Sequence, residues 1–191
     1  MPTPPDDPEF FETPAALEAW LEKHAGRADE VWVRMAKKSS GIASVDWAGA
    51  VECVLCFGWI DGVMRRIDDQ FHVQRFTPRR PRSNWSKVNC GKVEKLIAEG
   101  RMRPRGMAEV EKAKADGRWA AAYDGPATAT IPDDLAAALK AAGVRKVFDA
   151  LDGQNRYAVL HRVQTKKTPA GRAKCIAAMV ELLTSGGKPY P

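Results

Sequence analysis

Period-two hydrophobic alternation is confined to the first 80 residues of this chain, and that limits the folds open to it. Val31, Val33 and Met35 alternate with Trp32, Arg34 and Ala36, a strand pattern. Two further strand-like runs, Trp59 to Ile67 and Phe71 to Phe76, flank Asp68, Asp69 and Gln70 as the arms of a hairpin flank its turn. Everywhere else the apolar residues recur at helical spacing. Thr13 followed by Pro14 starts a helix carrying Leu17, Trp20, Leu21 and His24, and Gly26 closes it. Ser44 is expected to cap a second helix through Trp47, Val51, Val54 and Leu55. Ser83 is expected to cap a third through Trp85, Val88, Val93, Leu96 and Ile97. A short helix follows from about Arg105 to Asp116.

Strands that precede an all-helical remainder define an α+β protein with a short antiparallel sheet and a helical C-terminal segment. The expected organisation is a flexible Pro-rich start over 1–12, an α+β domain over 13–122, a turn-rich linker over 123–132, and a helical region over 133–191 packed on that domain. In the last region the expected helices are 133–142, 144–151 and 155–164. A final one opens at Thr168-Pro169 and carries Ile176, Met179, Val180 and Leu183 as its apolar stripe.

The net charge of +6 is unevenly placed. From Arg75 to Arg105 ten basic residues stand against two acids, Glu94 and Glu99, so this stretch outweighs the slightly acidic remainder. A patch of that kind attracts phosphates, nucleic acid or acidic surfaces. Residues 1–12 lack the basic and apolar regions of a secretory leader, and no run of about 18 apolar residues occurs. A cytoplasmic location without membrane insertion is therefore expected, with the four scattered cysteines reduced.

Three strings, FGWIDG (Phe57 to Gly62), RFTPRR (Arg75 to Arg80) and SNWSKVN (Ser83 to Asn89), resemble the hallmark of the YdeI/OmpD-associated, or bacteriocin-protection, family. LIAEGRM (Leu96 to Met102), AKADGRW (Ala113 to Trp119) and the segment from Ile131 to Gly186 extend the likeness. The resemblance implies a bacterial binding or stress-protection protein linked to antimicrobial-peptide resistance, and it supplies no catalytic residues. The N-terminal pattern is also similar to small YdhG/YjbR-type folds, an analogy of fold alone.

The chemistry-bearing groups divide the same way. Cys53-x-x-Cys56 lies late in an apolar helix with no second Cys/His pair at metal-ligand spacing, so buried thiols are expected and no metal. His24, His72 and His161 stand apart from any nucleophile or metal motif, and no phosphate-binding glycine loop is present, so no cofactor is expected. Asp61, two residues after Trp59, is either an acid paired with Arg75 or Arg79 or an acid facing a ligand. The segment Thr77 to Ser86 joins two stiffening prolines to three guanidiniums, Arg79, Arg80 and Arg82. Ser83, Ser86 and Asn89 fall near an expected helix N-terminus that favours anions, and Trp85 is available to stack. Arg101, Arg103 and Arg105 extend the basic surface as a solvated face.

The expected function is therefore non-enzymatic recognition of an anionic ligand or acidic partner. Trp59, Asp61, Arg75, Thr77, Arg79, Arg80, Arg82, Ser83, Trp85, Ser86 and Asn89 are its candidate binding residues. Nucleic-acid binding by the same patch is one alternative. A small-molecule enzyme with Asp61 as acid or base is another.

Overall fold

A computed structural model describes residues 2–190. The chain forms two compact units. The first extends to Ser83 and resumes with Asn89–Ala120, and the second holds Asn84–Val88 and the chain from Ala121 onward.

The first unit contains β1 (Glu9–Phe10), α1 (Pro14–His24), β2 (Val31–Ala36), α2 (Trp47–Cys56), β3 (Trp59–Arg66), β4 (Phe71–Pro78), most of α3 (Lys87–Ala98) and α4 (Pro104–Ala115). Local chemistry sets these boundaries. Thr13 Oγ1 accepts the Ala16 amide at 3.2 Å at the start of α1. Asp46, not Ser44, caps α2, accepting Gly49 N at 2.7 Å; Ser44 Oγ instead accepts the Ala36 amide at 2.9 Å, tying the loop back to β2. The hairpin turn is held by Asp68, whose Oδ1 accepts the amides of Gln70 and Phe71, each at 2.7 Å.

The sheet has strand order β1-β2-β4-β3, with β1 parallel to β2 and the other pairs antiparallel. Strand β1 has only two residues, and periodicity cannot register so short a strand. Val31, Val33 and Met35 of β2 are buried, as are Leu17 and Leu21 of α1 and Val51, Val54 and Leu55 of α2. Helix α2 packs on both α1 and β3. Each such aliphatic or aromatic side chain contributes about 1.5–3 kcal/mol by leaving water. Between Asp61 and Met64 the β3/β4 register shifts at a bulge. Gln74, only 3% exposed, fills it: its Nε2 donates to Gly62 O at 2.9 Å and satisfies a carbonyl the ladder leaves unpaired.

The alternate positions of the sheet carry cations laid over rings. Arg34 lies 5.3 Å from the Phe10 ring centroid and 5.4 Å from that of Phe71, and Arg75 lies 6.0 Å from Trp32. Glu30 joins the second pair, accepting both Trp32 Nε1 at 3.0 Å and Arg75 Nε at 2.6 Å.

The second unit is built on α5 (Asp133–Ala141), α6 (Arg145–Asp149), α7 (Gly153–Gln164) and α8 (Pro169–Thr184). Asp152 caps α7 through Asn155 N at 2.8 Å, and Thr168 caps α8 through Gly171 N at 3.1 Å. Leu135, Leu139, Phe148, Val159, Val163 and Leu183 form its core. Arg172 on α8 grips Asp134 on α5 with two hydrogen bonds, 2.6 and 2.9 Å long. Residues 121–128 are fixed within this unit. Asp124 N donates to Gln164 Oε1 at 2.9 Å, Tyr157 Oη donates to Asp124 O at 3.1 Å, and Ser86 bridges to Tyr123.

Candidate functional site

Helices α2 and α4 of the first unit meet closely at the end of α2. Helix α4 approaches α2 so closely that a Cβ on Gly106 would stand 2.2 Å from Cys56 O. The next residue after Phe57 is Gly58, at φ +76°, a backbone conformation that glycine adopts without penalty. A Cβ there would meet Arg105 O and Glu109 Cγ, each at 3.1 Å. Gly58 O accepts the Arg79 amide at 3.0 Å, which sets the end of β4 beside the start of β3.

These approaches frame a cleft of about 220 Å³. Phe57, Gly58, Trp59, Pro78 and Arg79 line one side, and Arg105, Ala108, Glu109 and Lys112 of α4 line the other. Three of the lining residues are cationic and one is acidic. Arg79 is 6% exposed, an unusual degree of burial for a guanidinium. Lys112 Nζ reaches Glu109 at 2.8 Å and stays largely in water. Arg105 Nη1 donates to Ala25 O at 2.8 Å. Trp59 is fully buried, its ring meeting Trp20 edge-on at 6.4 Å, and its Nε1 is bonded to no described atom.

Asp61 lies half-buried on β3 opposite Phe76. Burial pushes its carboxyl above the usual range, opposed by a hydrogen bond from the Trp47 side chain and by the charge of Arg79. Of the two arginines considered as its partner, Arg79 is the one whose charge reaches it. Arg75 is bound instead to Glu30, at 2.5 Å, and holds that carboxyl below its usual range.

The other candidate residues lie apart from the cleft. Thr77 pairs with Ile60 in the sheet. Arg80 and Arg82 are exposed on the loop after β4, Arg82 at φ +66°. Helix α3 begins at Lys87, so Ser83 is not its cap; Ser83 lies in the loop, where its carbonyl accepts Arg118 Nη1 at 2.9 Å. Trp85 and Ser86 are buried in the second unit, and Asn89 is half-buried in the first turn of α3.

The basic stretch is not a solvated face, because the protein's own acids take up much of its charge. Arg101 pairs with Glu18 at 2.9 Å and with Glu52 and Glu99 at 3.5 Å, and Lys92 adds a second cation to Glu52. Arg103 Nε is 2.5 Å from Glu22, and its guanidinium lies over Phe57. Glu99 is local, but Glu18, Glu22 and Glu52 stand up to 83 residues away in sequence, where no local pattern announces them. Arg105 and Lys112 were missed as cleft residues for the same reason. The glycines at 58 and 106 were the available signal, since close approach of two backbones demands them.

Burial keeps the thiols protonated: Cys53 is pushed up to about 12, and Cys56 and Cys90 to about 11. No group of three or more His, Cys, Asp or Glu suited to a metal ion occurs among the described residues. No helix among them is long and apolar enough to cross a membrane.

Fold and site together define an α+β unit with a basic cleft, accompanied by a separate helical unit. Comparison with known families finds two matches, which follow this division except at residues 84–88. Residues 9–109 match a family described as Domain of unknown function (DUF8412), and residues 128–186 match one described as Bacteriocin-protection, YdeI or OmpD-Associated. The first match spans more than half of the chain, which belongs to that family and carries the YdeI/OmpD-associated domain in its second unit. The strings FGWIDG, RFTPRR and SNWSKVN fall inside the first match, so the resemblance they suggested is found farther along the chain. No curated protein and no solved structure matches the chain.

Proposed function

We propose that this is a non-enzymatic binding protein of the cytoplasm that takes a small oxyanion, a phosphate or carboxylate, into the cleft of its first unit. One observation carries the reading: a guanidinium as buried as that of Arg79 lines a concave site together with Arg105 and Lys112, against the single acid Glu109. Two guanidiniums and an ammonium that face one concavity suit an anion, which accepts charge-assisted hydrogen bonds from them. A link to bacteriocin or antimicrobial-peptide resistance rests on the family of the second unit alone.

Nucleic-acid binding is the weaker reading, because Arg75, Lys92, Arg101 and Arg103 are occupied by carboxylates. Acid–base chemistry at Asp61 has only the raised carboxyl in its favour.

The test is isothermal titration with inorganic phosphate and with acetate. Lys112 is mostly exposed, so Lys112→Ala should leave the melting temperature unchanged and weaken binding about tenfold through one lost charged contact. Unchanged affinity in that variant, or no heat with either anion, contradicts the proposal.

A further inference from the structure

The second unit has a cleft of its own, about 360 Å³ in volume, with a lining of a different kind. Gln154, Tyr157, His161 and Tyr190 line it with a proline, a glycine and an alanine, and none of these carries a formal charge at neutral pH. The volume falls within the range of small-molecule sites, about 300–1,000 Å³.

The rings are held in place. Tyr157 and His161 stand one turn apart on α7 with ring centroids 5.7 Å apart, and Tyr123 meets His161 edge-on at 4.7 Å. Tyr157 spends its hydroxyl proton on Asp124 O. Tyr190 is fixed from below: its backbone N–H donates to Asn155 Oδ1 at 2.7 Å. Asn155 is 4% exposed, and its own Nδ2 donates to the capping Asp152 at 2.8 Å. A buried amide satisfied in this way keeps Tyr190 at one place on α7. Tyr190 as a residue nevertheless remains 47% exposed, with Arg162 over its ring at 5.9 Å.

Among the described residues no hydrogen bond reaches a ring nitrogen of His161. Burial holds that imidazole below its usual range, so near neutral pH it presents one donor and one acceptor.

We propose that this cleft binds an uncharged planar heteroaromatic ring, packed against Tyr157 and Tyr190 and hydrogen-bonded to His161. A charged ligand finds no countercharge in the lining, and an aliphatic ring forgoes the gain that aromatic pairs make beyond area burial. A nucleobase and an indole share the required chemistry.

The experiment is a titration of the full chain with adenosine, with indole and with cyclohexanol, following the His161 imidazole resonances and the heat of binding. Adenosine or indole should bind saturably and shift His161, and whichever binds more tightly identifies the source of the ring. Tyr190→Ala should weaken that binding about tenfold, the worth of one stacking partner, with no loss of melting temperature. Tyr190→Phe should restore it. The proposal is overturned if neither ring compound moves His161, if cyclohexanol moves it equally, or if Tyr190→Ala binds as the unmodified chain does.

Discussion

Gly106 controls the spacing between α4 and α2, because no side chain fits between its Cα and the Cys56 carbonyl. Met102 Cε, 2.9 Å away, can swing aside, but the Cys56 carbonyl is backbone that no rotamer change moves. Gly106→Ala should cost about 2–3 kcal/mol, the upper part of the range for overpacking, read as a lower urea midpoint with an unchanged slope. Asp61 gives a pH signature. Its folded carboxyl keeps a proton to higher pH than the unfolded one, so the native state binds more protons across that window. Stability should fall as pH rises from about 4 through the raised value. Glu30 and Asp134, held below the usual range by Arg75 and Arg172, act in the opposite direction, losing their contribution as pH falls. The difference between Asp61→Asn and the unmodified chain therefore isolates Asp61. Urea midpoints from pH 4 to 7 should show the variant gaining relative stability toward neutrality, and a constant difference would refute the assignment.

Helices and strands announced themselves where one residue decides the outcome. Thr13-Pro14 and Thr168-Pro169 name helix starts through a hydroxyl and a missing N–H, and the alternation around Asp68 names the hairpin. Ser44 and Ser83 misled because a serine can bond elsewhere: Ser44 meets the Ala36 amide, and α3 starts four residues after Ser83. The expectation of buried thiols in α2 follows from its apolar composition, and Cys53 and Cys56 are both fully enclosed. Of the four thiols only Cys175 on α8 is partly exposed. An aromatic disulfide reagent should therefore titrate about one thiol promptly in the native protein and the remaining three after denaturation. Prompt reaction of two or more would mean that α2 or α3 opens readily.

On the scale of the whole molecule, the match over 128–186 falls within the second compact unit, and the match over 9–109 falls in the first apart from residues 84–88. The α+β class could be read from the sequence because period-two runs end before residue 80. The cleft could not, because its walls join residues 57–59, Pro78 and Arg79 to helix α4, stretches that only the fold brings together. Arg79 illustrates both halves of this. Its residue type and flanking prolines marked it as an anion ligand, whereas its burial, and its separation from the exposed Arg80 and Arg82, emerged only in the fold. The most direct test of the account follows the Arg79 side-chain Nε–H resonance by nitrogen-detected NMR while inorganic phosphate is added. The account predicts a saturable shift of that resonance, with the midpoint found by calorimetry. An Arg79 signal that stays fixed while phosphate saturates the protein would contradict it.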